Sequence, residues 1–186
     1  MAPKALVLLA TGAEEMETVI TVDVLRRGGV EVLVAGVEGD GTVKCSRDVK
    51  ISPDLSLAAA IPKGPFDCIV LPGGGPGAAA LAANGEVGNL LKEHDAVGKV
   101  IAAICAAPTA LLAHGIGLGK NITSYPAPAF KEKLTGPYKY QEEKVVVDGN
   151  IVTSRGPGTT FDFGLELVKI LIGEEKMKEI ASAMLI

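Results

Sequence analysis

Of the three cysteines in the chain, Cys105 has the surroundings of a reactive thiol. It closes the apolar run Val100-Ile101-Ala102-Ala103-Ile104 and is followed by Ala106-Ala107-Pro108-Thr109-Ala110-Leu111-Leu112. The run reads as a buried strand. Pro108, whose ring pre-sets a helical φ, opens a helix three residues later. So sharp a turn lifts one side chain from the carboxyl edge of the sheet and aims the free N–H groups of the new helix at it. The partial positive charge there favours a thiolate over the free thiol, whose ordinary pKa is about 8.5. Ala106 and Ala107 leave room for a substrate. A core cysteine is the other reading, since free cysteine is among the most buried residue types. Local context leaves both open for Cys105 and favours the core for Cys68, inside Cys68-Ile69-Val70-Leu71.

Parallel strands end on one side of their sheet, so other strand ends are expected beside Cys105. The strand at Leu71 empties into Pro72-Gly73-Gly74-Gly75-Pro76-Gly77, whose backbone N–H groups can approach an anion closely. It is neither a P-loop nor a dinucleotide fingerprint; its expected use is as a source of oxyanion donors. The first strand delivers Glu14, Glu15 and Glu17 onto a helix. Glu14 and Glu15 read as partners of the helix dipole. Glu17, one position from an apolar Met16 taken to face the core, is expected at the border of the buried face. Desolvation there would hold its carboxyl protonated, able to donate a hydrogen bond to a thiolate. The only histidines are His94, in a polar stretch and read as solvated, and His114, about 13 Å along a helix from Cys105. A cysteine–histidine dyad is therefore poorly supported.

The elements that position these groups follow from hydrophobic periodicity. Short apolar runs alternate with amphipathic segments, the pattern of a mostly parallel sheet covered by helices on both faces. Strands are expected at 4–9, 30–34, 68–71, 100–104 and 122–125, with a β excursion over 43–51. A hairpin is expected at 145–147 and 151–153 around Asp148-Gly149-Asn150. Helices are expected at 14–27, from Pro53-Asp54, at 86–94, from Pro108, and over 159–172 and 174–185. Met16, Val19, Ile20 and Val24 supply the apolar spacing of the first helix.

With 186 residues, 48% of them apolar, one domain with a sizeable core is expected. A net charge of −4, without runs of like charge, gives no case for nucleic-acid binding. No apolar stretch reaches the length of a membrane span, and none reads as a secretory signal. Three cysteines without such a signal point to a reducing, intracellular compartment.

The segments Gly12-Ala13-Glu14-Glu15-Met16-Glu17, Cys45-Ser46-Arg47-Asp48-Val49, Leu71-Pro72-Gly73-Gly74, Ala102-Ala103-Ile104-Cys105-Ala106 and Thr153-Ser154-Arg155-Gly156-Pro157-Gly158 resemble the Parkinson disease protein 7 family of the ThiJ/PfpI superfamily. The resemblance runs through nearly the whole chain. It implies a flavodoxin-like α/β sandwich and a homodimer, with no cofactor or metal. It also implies Cys105 as nucleophile and sensor thiol, Glu17 as the protonated carboxyl bonded to it, and backbone groups of Gly73, Gly74 and Ala106 as the oxyanion site. The family is credited with converting methylglyoxal and glyoxal to hydroxy acids, and with releasing these 2-oxoaldehydes from early adducts on the amines and thiols of proteins and on nucleotides. It is also described as an oxidative-stress sensor and redox-dependent chaperone, which stands as the non-enzymatic alternative. Cytosolic, mitochondrial and nuclear pools are implied. One departure is Tyr125, where family members often carry histidine; a phenol donates a hydrogen bond but is a poor base at neutral pH. Cys45 reads as structural, near a subunit contact, with secondary oxidation open. Arg27 and Arg47 are read either as the frame of an anion site or as solvated, and Arg155 either as support for its glycine-rich loop near the site or as purely structural.

Overall fold

The computed structural model describes residues 2–186. The chain begins with strand β1 (Lys4–Leu9), helix α1 (Glu15–Arg27) and strand β2 (Glu31–Gly36). A two-stranded excursion follows, β3 (Val43–Lys44) against β4 (Lys50–Ile51), then edge strand β5 (Leu55–Ser56) and the single turn α2 (Leu57–Ala60). Next come β6 (Cys68–Leu71), α3 (Gly75–Ala83), α4 (Gly85–Ala96), β7 (Val100–Ile104) and α5 (Pro108–His114). A small parallel pair, β8 (Asn121–Ile122) and β9 (Lys139–Tyr140), flanks α6 (Pro128–Leu134). The hairpin β10 (Val145–Asp148) and β11 (Ile151–Ser154) leads into α7 (Thr160–Leu171) and α8 (Glu174–Ala183).

The main sheet has seven strands in the order β10-β11-β7-β6-β1-β2-β5, parallel throughout except for the β10–β11 hairpin. Both faces are buried, so β1 is a continuous apolar run and sorts alternate residues to opposite layers. Ala5, Val7 and Leu9 pack with Val24, Leu25, Phe163 and Leu167, from α1 and α7. Leu6 and Leu8 pack with Leu57, Leu81, Leu91 and Leu111, from α2 to α5. The result is a three-layer, flavodoxin-like α/β sandwich. No helix of the described residues is long and apolar enough to cross a membrane.

Caps and prolines set the helix starts. Glu14 accepts the Glu17 N–H at 2.8 Å, Ser56 caps α2, and Asn84 accepts the N–H groups of Glu86 and Val87. Prolines occupy the first turns of α3, α5 and α6.

Several expectations are corrected. The buried face of α1 is made by Glu17, Thr18, Thr21, Val24 and Leu25, while Met16 and Val19 are each 52% exposed. No helix starts at Pro53-Asp54; the Asp54 carboxylate accepts the Val34 N–H at 2.9 Å, and α2 begins three residues later. The strand expected at 122–125 stops at Ile122, because the Tyr125 N–H turns to the Cys105 carbonyl at 2.8 Å. Helices α3 and α6 were not expected: the glycine-rich run at the start of α3 read as a loop, and the segment of α6 was assigned no element. His94 is buried rather than solvated.

Candidate functional site

Chain order in the sheet brings three loops together. β1 lies between β2 and β6, where the chain reverses direction across the sheet, and ligands of open α/β sheets bind at such a point. The carboxyl ends of β1, β6 and β7 are neighbours there. They deliver Glu17, Gly73–Gly74 and Cys105 to one place.

Cys105 has φ +64, a left-handed conformation that a side chain with a Cβ adopts only under strain. Neighbouring backbone holds it: its N–H donates to the Ser154 carbonyl at 3.0 Å and its carbonyl accepts from Tyr125 N–H. The N–H groups of Gly74 and Ala106 act on the sulfur as backbone hydrogen-bond donors. Cys105 is only 8% exposed, so its thiol is largely covered.

Glu17 reaches the same spot from α1 and is fully buried. Its Oε2 accepts the Gly73 N–H at 2.7 Å, while Oε1 is buried with no nitrogen or oxygen partner. The Cys105 thiol is within hydrogen-bonding reach of this carboxyl. Burial pushes the Glu17 carboxyl up to about 7 against the opposing pull of its hydrogen bonds from Cys105 and Gly73. Burial, and then the Glu17 negative charge, push the Cys105 thiol up to about 12, opposed by the Gly74 and Ala106 N–H groups. The two groups therefore titrate as a pair. Once Glu17 carries the proton, its repulsion of the thiolate vanishes and it can donate to the sulfur. The expected lowering of the thiol at the helix N-terminus is thus corrected: burial and Glu17 outweigh the Gly74 and Ala106 N–H groups and push it up.

Gly73 does not serve as a free oxyanion donor, because Glu17 occupies its N–H; Gly74 and Ala106 remain. The role of Gly73 is close approach. A Cβ there would lie 2.6 Å from Cys105 Cβ, 2.7 Å from Glu17 Oε2 and 2.8 Å from the Ile104 carbonyl oxygen. Gly73→Ala should therefore cost about 1–3 kcal/mol of stability by overpacking, read from urea unfolding. Wild-type stability in that variant would show that the three groups have room to spare. Gly74 is required separately for its φ of +82.

The other candidates lie elsewhere or do other work. Arg27 is at the far end of α1, about 15 Å from Glu17, where it pairs with Asp23. Arg47 donates its backbone N–H to Glu15 Oε1 at 2.7 Å, and its guanidinium donates to the adjacent Ser46 carbonyl. Within the chain, neither guanidinium is hydrogen-bonded to Cys105 or Glu17. Arg155 donates to the carbonyl and Oε2 of Glu142, tying the loop after β11 to the segment before β10. Cys45 is buried, and burial together with Glu15 and Glu14 pushes its thiol up. Cys68 is fully buried and pushed up further. His114 bonds the Leu81 carbonyl, away from the sulfur. Tyr125 is partly exposed, its ring edge-on to Phe130.

Sequence reasoning missed two supports. The Ser154 carbonyl anchors the Cys105 N–H, and Glu15 clamps the 45–47 loop through Ser46 Oγ and the Arg47 N–H. Backbone acceptors carry no sequence signal, and Glu15 read as an ordinary first-turn acid. Among the described residues, no three His, Cys, Asp or Glu side chains gather as metal ligands.

Comparison with known proteins agrees with this geometry. Residues 3–170 match the DJ-1/PfpI family. Protein dj-1beta of Drosophila melanogaster is 51% identical over 187 residues, covering 100% of this chain and 98% of that protein. The crystal structure of Drosophila melanogaster DJ-1beta superposes with a TM-score of 0.96, covering 100% of this chain and 99% of the other. A Caenorhabditis elegans protein named glutathione-independent glyoxalase DJR-1.2 is 45% identical, covering 92% of this chain and 90% of that protein. The structure of oxidized Toxoplasma gondii DJ-1 is 40% identical with a TM-score of 0.90, covering 99% of this chain and 98% of the other. The strained cysteine, the buried glutamate beside it and the match over residues 3–170 together place this chain in the DJ-1/PfpI family.

Proposed function

We propose that the protein is a cofactor-independent glyoxalase and deglycase in which Cys105 attacks 2-oxoaldehydes and their early adducts on amines and thiols. The observation that carries this reading is the left-handed Cys105 set beside a buried Glu17 whose Oε1 has no nitrogen or oxygen partner. The nematode relative named a glutathione-independent glyoxalase supports the same chemistry.

The sulfur adds to the aldehyde carbon of methylglyoxal as its proton passes to Glu17 Oε1. A C–S bond forms, and the former carbonyl oxygen takes that proton to complete a hemithioacetal. The Gly74 and Ala106 N–H groups stabilise the developing alkoxide. Glu17, again a carboxylate, removes the hydrogen from C1 and returns it to C2 through an enediol, leaving a lactoyl thioester. Water cleaves the thioester, giving lactate and the free thiol. One methylglyoxal and one water become one lactic acid, with no net redox change. With a hemiaminal as substrate, the sulfur displaces the amine, which leaves with a proton from Glu17, and the same hemithioacetal results. The test is lactate formation from methylglyoxal without glutathione, followed by proton NMR; aldehyde consumption without lactate would overturn the reading.

A second reading, a redox sensor and chaperone, is favoured by the same donors. Two equivalents of peroxide take the thiol to a sulfinic acid with release of two waters, and the Gly74 and Ala106 N–H groups and a protonated Glu17 suit its oxygens. Slow, poorly saturable turnover with clean single-site oxidation would favour it.

The exposed apolar Met16 and Val19 on α1 and Val49 beside β4 are suited to contact with a second copy of the chain. Val19→Glu should convert a homodimer to monomers in sedimentation velocity; an unchanged sedimentation coefficient would move the interface elsewhere. We place the working protein in the cytoplasm with mitochondrial and nuclear pools, to be checked by fractionation.

A further inference from the structure

An apolar groove of about 550 Å³ runs between α3, α5 and α6, walled by Ala79, Ala82, Leu112 and Phe130. That volume is in the range of small-molecule sites. Its position connects it to the candidate site at three points. Gly75, at one end of its lining, directly follows Gly74, whose N–H faces the Cys105 sulfur. Thr109, on the opposite wall, donates its hydroxyl to the Ala106 carbonyl at 2.7 Å, and the Ala106 N–H faces the same sulfur. Phe130 packs edge-on against Tyr125, whose N–H holds the Cys105 carbonyl. The lining of the groove is therefore joined, through Gly75 and Thr109, to the two residues whose N–H groups face the sulfur. From Gly75 to Ala83 it follows α3 for about 12 Å.

Methylglyoxal has three carbons and cannot occupy such a groove while its aldehyde carbon is at Cys105. An adduct on a lysine side chain can. Its reactive carbon is joined through nitrogen to a flexible stem of four methylenes, and stems of this kind lie along apolar surface while their polar ends stay wet. The walls offer methyl groups and one aromatic ring to such a stem. Lys133, one turn beyond Phe130 on α6, adds a positive charge to the lining, suited to a carboxylate of the carrier residue. The α1 face assigned to a second copy is a different surface, so a dimer made there leaves the groove open.

We infer that the α3–α5–α6 groove binds the aliphatic arm of lysine-borne 2-oxoaldehyde adducts, making Ala79, Ala82, Leu112 and Phe130 specificity determinants for adducts over free aldehyde. This rests on the reading of Cys105 as the attacking thiol. It supplies a direct route to deglycation, in contrast to scavenging of free aldehyde, which needs no groove.

The test uses two stable compounds that do not release aldehyde. Nα-acetyl-Nε-(1-carboxyethyl)lysine carries the arm; N-(1-carboxyethyl)methylamine lacks it. Dissociation constants are read by chemical-shift titration of the full chain. The arm should tighten binding about tenfold in the wild type, the order expected when four methylenes move partly out of water. In Ala79→Glu and Ala113→Glu, at exposed helical positions where glutamate is a good helix former, the ratio of the two constants should fall to near one. Equal constants in the wild type, or a tenfold ratio that survives both substitutions, would overturn the inference. Turnover of methylglyoxal is measured separately in the wild type. Its absence would sink the glyoxalase reading, whereas the binding ratio speaks only to the groove.

Discussion

Cys105→Ser should lower methylglyoxal turnover by about three orders of magnitude or more, while the protein stays folded. Serine keeps the Cβ, so the strained φ of +64 and the backbone bonds to Ser154 and Tyr125 are unaffected. Its hydroxyl can still donate to Glu17, so stability should change by no more than about 1 kcal/mol. What is lost is the nucleophile. Even pushed up to about 12, the thiol gives its proton to the Glu17 carboxyl far more readily than a serine hydroxyl does, and sulfur is the better nucleophile. The oxyanion donors of Gly74 and Ala106 remain and can act only on bound hydrate. The measurement is lactate production at saturating methylglyoxal, with near-ultraviolet circular dichroism as the control for folding. Normal lactate production by the folded variant would remove Cys105 from the reaction and with it the enzyme reading of that thiol.

The sandwich was legible because its cause is local. Apolar runs such as Leu6 to Leu9 and Cys68 to Leu71, separated by helical periodicity, leave few arrangements other than a parallel sheet covered on both faces. The strand-to-helix turn at Cys105 was legible for the same reason, since the strand, the small residues and Pro108 are adjacent in the chain, while local context left nucleophile and core cysteine both open. Glu17 was only half legible. Its proximity to the site came from its strand end, but its burial was deduced from the wrong side of α1. The helix turns its polar Glu17, Thr18 and Thr21 inward and leaves Met16 and Val19 outside, the reverse of an amphipathic surface helix. Such an inversion makes sense when the buried face carries chemistry and the exposed face meets another surface, and neither condition can be seen in one helix alone. The division of labour at Gly73 and Gly74 was illegible for a related reason. Two adjacent glycines present the same sequence signal, yet one N–H is taken by Glu17 across 56 positions and the other faces the sulfur. Helix α3 was hidden by the glycine and proline at its start, residues that open a helix as readily as they end one.

Glu17→Gln separates the electrostatic role of this carboxyl from its proton transfer. The Glu17 pKa is raised from 4.5 to about 7 in the folded protein, chiefly by burial. The folded state therefore holds a proton that the unfolded chain has already released over that interval. Stability linked to Glu17 is fully present below pH 4.5, falls as the pH rises towards 7, and is lost above it. The loss comes to about 3 kcal/mol, at roughly 1.4 kcal/mol for each pH unit. Carboxylates with lowered values, such as Asp67 and Asp148, contribute in the opposite sense but are common to both proteins, so they cancel in the difference. Glutamine is neutral at every pH. Its oxygen can accept the Gly73 N–H while its NH2 faces the sulfur as a protonated carboxyl would. The stability of Glu17→Gln relative to wild type should thus rise by about 3 kcal/mol between pH 4 and pH 8, measured by urea unfolding across that range. Turnover should move the other way, falling by about two to four orders of magnitude, because an amide can hold the thiolate but cannot carry a proton from C1 to C2. The thiol itself should ionise at lower pH in the variant, since the negative charge that pushes it up has been removed. A pH-independent stability difference would show that Glu17 titrates as an ordinary carboxylate, and the shared proton between Glu17 and Cys105 would have no basis.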